Sequence, residues 1–121
     1  MPYPWLDAYL LAKPGVTKDF KVEWQMTRYM VAGKQFAAFG GDKAGKPIFT
    51  VKLEPAFSVF LREQYPSIVP GYYANKVHWS SMYLDGSVPE AIVKDMADDS
   101  YRQILKKLTQ KVKAELGLRE P

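Results

Sequence analysis

Gln25-Met26-Thr27-Arg28-Tyr29-Met30-Val31-Ala32-Gly33-Lys34-Gln35-Phe36-Ala37-Ala38-Phe39-Gly40 decides the fold. Two runs rich in aromatic and aliphatic residues flank Ala32-Gly33-Lys34, a connection whose glycine can take the positive φ of a tight hairpin turn. They read as antiparallel strands, Gln25 to Val31 and Gln35 to Gly40. The loop Gly41-Asp42-Lys43-Ala44-Gly45-Lys46-Pro47 then leads into a third run, Ile48 to Leu53, with Pro47 at the strand's first position, where a missing amide is tolerated. Short strands punctuated by glycine predict an antiparallel meander.

Ahead of the meander, Trp5, Leu6, Tyr9, Leu10 and Ala12 form an apolar helical stripe from Pro4 to Lys13, and Pro14-Gly15 ends it. Glu54-Pro55 opens a second helix with Phe57, Phe60, Leu61 and Tyr65 on its apolar face, stopped by Pro66. A short strand from Ile68 to Tyr73, interrupted at Pro70-Gly71, and a longer one from Val77 to Leu84 follow, the latter closed by Asp85-Gly86. Alternation puts Trp79 and Tyr83 on one face, where they are expected to be buried together. Ser87-Val88-Pro89-Glu90 has the spacing of a capping box for the next helix. That helical stretch is expected to divide at Asp98-Asp99-Ser100, three side chains that compete for backbone hydrogen bonds, and Ile104, Leu105, Leu108, Val112 and Leu116 carry helical spacing to the end. The expected architecture is α+β, α-βββ-α-ββ-α-α, an antiparallel sheet of about five strands against helices in a single domain.

The 121 residues, 47% hydrophobic and 25% charged, suit one core. With no cysteine, disulfides, thiolate zinc sites, Fe–S clusters and cysteine nucleophiles are excluded. The amino-terminal residues lack a basic segment followed by an apolar run, and no stretch approaches a membrane span. A cytoplasmic location without a membrane partner is the expectation. Net charge is +4, and it is zoned: Arg28, Lys34, Lys43, Lys46 and Lys52 crowd the meander against Asp42 alone, while residues 85 to 99 are acidic and residues 101 to 119 basic again.

The single histidine, His78, makes neither a triad nor a metal site by itself. Asp98 and Asp99, adjacent on a helix, point in different directions, unlike a converging acid/base dyad. Gly40, Gly41 and Gly45 lack the Walker or GxGxxG context of a phosphate cradle. We therefore expect a binding protein, not an enzyme, without cofactor or metal. Lys34 at one turn and Lys43 and Lys46 at another have the character of wings that reach phosphates without reading sequence. Asn75, Lys76 and His78 are candidate auxiliary contacts, since asparagine can pair with adenine in a groove. Turn lysines also serve simply to keep strands soluble, and Tyr72, Tyr73, Trp79 and Tyr83 are as suited to a core as to stacking on bases. The two partner classes are nucleic acid, most simply DNA, and a protein or peptide docked on the sheet's face or edge.

Arg62-Glu63-Gln64-Tyr65-Pro66, Val69-Pro70-Gly71-Tyr72, Asn75-Lys76, His78-Trp79 and Tyr83-Leu84-Asp85-Gly86-Ser87-Val88-Pro89 together resemble the MmcQ/YjbR family of small bacterial proteins. The likeness extends to Lys13-Pro14-Gly15-Val16 and Ser100-Tyr101. It implies an antiparallel sheet against helices, similar to secretion-chaperone-like architectures, and a double-wing arrangement proposed to bind DNA. Tyr73 and Ala74 depart from the family's pattern, which often has histidine and methionine there.

Overall fold

The computed structural model describes residues 1–71 and 75–117. Among them six strands form one antiparallel sheet in the order β1-β2-β3-β4-β6-β5. The strands are β1 (Val16–Lys21), β2 (Met26–Val31), β3 (Lys34–Gly41), β4 (Pro47–Lys52), β5 (Ile68–Pro70) and β6 (Trp79–Tyr83), with α1 (Leu6–Leu11), α2 (Pro55–Gln64), α3 (Glu90–Leu105) and α4 (Gln110–Glu115) around them. The hairpin at the centre of the sequence forms as expected: Ala32 and Gly33 take φ of 51° and 75°, the left-handed pair that matches the twist of the flanking strands.

One more strand is present than the sequence suggested. β1 reads Val-Thr-Lys-Asp-Phe-Lys and pairs only with β2, Val16 opposite Val31 and Lys21 opposite Met26. An edge strand exposed along most of its length carries no alternating apolar signal, and its lysines are the usual protection against pairing with another chain. Two helix expectations are also corrected. The Ser87–Glu90 box does not close: the Ser87 hydroxyl donates to Asp85 Oδ1 at 2.7 Å, Glu90 accepts from Trp5 Nε1 at 2.8 Å, and the helix is entered from Pro89 without a side-chain cap. Nor does α3 divide at Asp98-Asp99-Ser100. Asp98 binds Tyr9 and Lys13, Asp99 accepts the Glu54 amide at 2.9 Å, and Ser100 donates to the Ala97 carbonyl. With tertiary partners satisfied, these side chains no longer compete with the helix, and the break falls later, where Thr109 caps α4 by accepting the Val112 amide at 3.1 Å.

The core lies on one face of the sheet, beneath α1 and α3. A cross-strand row Thr27–Phe39–Phe49–Met82–Ile68 points into it, and Phe39 packs against Phe49 at a tilt and against Tyr29 edge to face, at centroid distances of 4.9 and 5.8 Å. α3 packs across β3 and β4, bringing Tyr101 against Phe36, and Leu108 and Val112 extend the core past its end. β6 contributes Ser80 and Met82 to this face. Trp79 and Tyr83 do share a face, but it is the opposite one, and both are half-buried there.

Two carboxylates hold α1 in place. Asp7 accepts from Tyr29 at 2.6 Å and from Lys18 at 2.8 Å, and the Lys18 and Tyr29 hydrogen bonds hold its carboxyl below the usual range. Asp98 accepts from Tyr9 at 2.8 Å and Lys13 at 2.5 Å. Burial pushes its carboxyl up, but Lys13 and Tyr9 together bring it below its ordinary value. Both folded-state values lie under the unfolded value of about 3.9. The stability they add is therefore complete above that pH and lost as pH falls through the folded values. Urea titrations from about pH 6 to about pH 2.5 should show the midpoint dropping below about pH 4, with a shallower drop in Asp98→Asn; an unchanged profile in that variant would remove Asp98 from the account.

Candidate functional site

The second face of the sheet is not covered by a helix. Its central row runs Asp19–Arg28–Ala38–Thr50–Ser81–Val69 through all six strands. The middle of that row is made of small side chains, with Thr50 and Ser81 joined through their hydroxyls at 2.7 Å. Larger groups rise around it: Trp24 and Met26 from the β1–β2 connection and the start of β2, Gln35 from β3, Trp79 from β6, and Asp42 from the β3–β4 loop. Together they enclose a cleft of about 740 Å³. It runs along the strands, from Gly41, Asp42 and Gly45 at one end to Gln35 and Trp79 at the other.

Trp24 is 59% exposed and sits on a 3₁₀ turn, Val22–Trp24, ended by Gln25 at a φ of 49°. Lys21 and Arg28 approach its ring, 5.5 and 6.0 Å from the centroid, while Arg28 makes a two-pronged contact to Asp19 at 2.8 and 2.6 Å. Asp42 builds the loop at the cleft's other wall: it accepts the Ala44 and Lys46 amides and the Tyr83 hydroxyl. Hydrogen bonds from the Lys46 amide, then Tyr83 and the Ala44 amide, hold its carboxyl below the usual range. Trp79 is placed from behind by Arg62, whose guanidinium donates to the Lys76 and Trp79 carbonyls at 2.7 and 2.8 Å and to Ser80 Oγ.

The structure separates the candidate wing residues into two groups. Lys34 opens β3 and the loop bearing Lys43 and Lys46 follows its far end, so the eight residues of that strand hold them roughly 25 Å apart. All three are exposed, and Lys46 Nζ lies 5.2 Å from the Tyr83 ring centroid. Asn75, Lys76 and His78 are exposed on the segment entering β6, at the sheet end that Lys34 occupies. The Asn75 carboxamide oxygen is already engaged by the Val77 amide at 2.8 Å, and the His78 carbonyl accepts the Leu53 amide at 2.7 Å. Tyr72 and Tyr73, also considered for stacking, lie outside the described residues.

Strand patterning did not single out Trp24, Met26, Gln35 or Thr50, because nothing in a strand's alternation says which face helices will cover. It also missed Lys52 as a site residue. This lysine closes β4 directly opposite Trp79, at the cleft's margin. Burial first, then the charges of Lys107 and Lys34, lower the Lys52 ammonium to about 8. Among the described residues no group of three or more metal-binding side chains converges, and no helix is long and apolar enough to cross a membrane.

Fold and cleft define a small α+β domain with one sheet face packed under helices and the other open. The model of the YjbR family matches residues 11–103. Escherichia coli K12 YjbR is 32% identical over 102 residues, covering 84% of this chain and 86% of its own; YbdF of Escherichia coli O157:H7 is 32% identical over 83 residues, 69% of this chain and 67% of its own. The crystal structure of Deinococcus radiodurans DR2400 superposes with a TM-score of 0.83 at 28% identity, covering 94% of this chain and 86% of that one. A Pseudomonas syringae protein shares the fold with a TM-score of 0.70 at 21% identity, covering 85% and 98%. The chain belongs to the YjbR family.

Proposed function

We propose that this chain is a non-enzymatic binding protein that holds a single-stranded nucleic acid, DNA in the first instance, along the open face of its sheet. The observation that carries this is the cleft itself, walled by Trp24 and Trp79, with Lys52 at the margin of one end, Lys34 at that same end of the sheet, and the loop of Lys43 and Lys46 at the other. Indoles accept any base by stacking, and flanking lysines follow the phosphates. Under this reading the separation of the two lysine groups is useful: both lie on the path of an extended strand of a few nucleotides. A duplex gripped by two adjacent wings would need all three loop lysines on one side of the fold, and a strand of eight residues keeps them apart.

Fluorescence anisotropy with a labelled single-stranded 12-mer at low salt tests it. The expected result is micromolar-range binding, preferred over the same sequence as duplex, weakening roughly 50-fold between about 50 and 200 mM salt if about four phosphates are contacted. Trp24→Ala and Trp79→Ala should each weaken binding about tenfold, and the triple change Lys34→Glu, Lys43→Glu, Lys46→Glu should abolish it. No binding at low salt ends the proposal.

A protein or peptide in the same cleft is favoured by one observation: Val22 and Trp24, on the turn at the cleft mouth, are 65% and 59% exposed. Such a partner would bind with little salt dependence. The edges suit it less than the face, since β1 carries Lys18, Asp19 and Lys21 and β5 has three residues ending in proline.

A further inference from the structure

The cleft's lining carries the opposite charge to its rim. Two carboxylates, Glu23 and Asp42, are part of it, and among the described residues that line it none is a lysine or arginine. Both acids belong to the Trp24 end. Glu23 precedes that indole on the 3₁₀ turn, and Asp42 follows the end of β3, where a methyl group added at Gly40 would meet Met26 and the Gln25 carbonyl oxygen at 3.8 and 4.0 Å. The two acids differ in what remains open on them. Asp42 uses both oxygens within its own wall, Oδ1 for the Ala44 and Lys46 amides and Oδ2 for the Tyr83 hydroxyl, so it supplies a fixed negative charge. Glu23 takes part in none of the ion pairs among the described residues, which are Lys13–Asp98, Lys18–Asp7, Arg28–Asp19 and Arg102–Asp99. Arg28, the cation whose charge it reaches, is held by Asp19 through two hydrogen bonds. Glu23 is thus an acceptor open to a ligand, next to an indole on which a base can stack.

Two negative charges with no cation in the lining repel phosphates, so a strand lying here keeps its backbone at the rim, among the lysines, and turns its bases inward. The bases then meet the acids by their pairing edges. Cytosine and adenine carry an exocyclic amino group there, and guanine carries one beside a ring N–H; uracil and thymine set carbonyl oxygens on both sides of a single N–H. A carboxylate accepts hydrogen bonds from amino groups and repels carbonyl oxygens. We infer that Glu23 is a specificity-determining residue, which selects at the Trp24 end of the cleft those bases whose pairing edge carries an amino group, over thymine and uracil. The inference rests on the single-stranded reading above and adds to it a direction of sequence preference.

Anisotropy with labelled homopolymeric 12-mers of deoxycytidine and of deoxyuridine, at low salt and neutral pH, tests it, because these two bases differ only on the pairing edge. The deoxycytidine 12-mer should bind the full chain about tenfold more tightly. Glu23→Gln keeps the side chain's length and removes its charge, and the exposed position keeps the change out of the core. Its carboxamide can donate to a carbonyl as well as accept from an amino group, so the ratio of the two affinities should fall to about one. A general effect of the lost charge on the phosphates would strengthen both 12-mers together and leave the ratio as it was. Equal affinity for the two 12-mers, a preference for deoxyuridine, or a ratio kept in Glu23→Gln overturns the inference while the proposed function stands. Binding of neither 12-mer ends the proposed function and the inference with it.

Discussion

Gly71→Ala should destabilise the protein by about 3 kcal/mol, near the upper end for overpacking, and should disorder the Trp79 wall of the cleft. The first methyl group placed at this position would lie 2.7 Å from Trp79 Cβ, 2.8 Å from its carbonyl oxygen and 2.9 Å from its carbonyl carbon. Two of those atoms are backbone, and no rotamer change moves them. The same glycine donates its amide to the Trp79 carbonyl at 2.8 Å, so the two segments cannot separate without breaking a hydrogen bond at a buried residue. Either β5 leaves β6 or the Trp79 backbone shifts, and each outcome reaches the cleft. The urea midpoint should fall, and Trp79 fluorescence should move toward the solvent-exposed value before global unfolding, with Trp5→Phe and Trp24→Phe as the background that isolates it. A variant with the parent's midpoint and emission would show that the close approach has slack.

Arg62→Ala should cost a similar amount, about 3 kcal/mol, because charge-assisted hydrogen bonds are worth about 1.5–3 kcal/mol and their loss leaves acceptors unpaired. The guanidinium bridges α2 to the start of β6, with the Lys76 carbonyl, the Trp79 carbonyl and Ser80 Oγ as acceptors. Burial holds its pKa below the ordinary value, a measure of how far the side chain is drawn in from solvent. Ser80 is fully buried and also bonds Ser58 Oγ at 3.1 Å, so the deletion opens a polar gap between helix and sheet. The conservative change Arg62→Lys should recover little, since one ammonium cannot reproduce a planar fork aimed at three acceptors. Chemical denaturation of the alanine and lysine variants checks this. Full recovery by lysine would mean that charge, not geometry, holds the strand.

The two residues just discussed belong to the motif-rich stretch 62–89, and their roles are not visible in local patterning. Arg62 reads as an exposed helix residue by spacing, and Gly71 as a strand breaker beside Pro70. Both are explained by what lies across a gap in sequence: two carbonyls and a serine hydroxyl 14 to 18 residues on for Arg62, and the Trp79 backbone for Gly71. Likewise, the acidic pair at 98 and 99 reads as a helix break until Lys13, Tyr9 and the Glu54 amide arrive to bind it.

By itself the sequence determined the meander, the Ala32-Gly33 turn, the Glu54-Pro55 helix start and the α+β class, because hairpin turns, proline stops and period-two alternation act between residues close in the chain. It could not determine which sheet face α1 and α3 would cover, and hence that Trp79 and Tyr83 would line the open face while Ser80 and Met82 entered the core. Nor could it show that Lys34 and Lys52 share one end of the sheet while Lys43 and Lys46 take the other. Those outcomes depend on register and on helix packing between residues distant in sequence, where burial of apolar area, insensitive to local order, makes the choice.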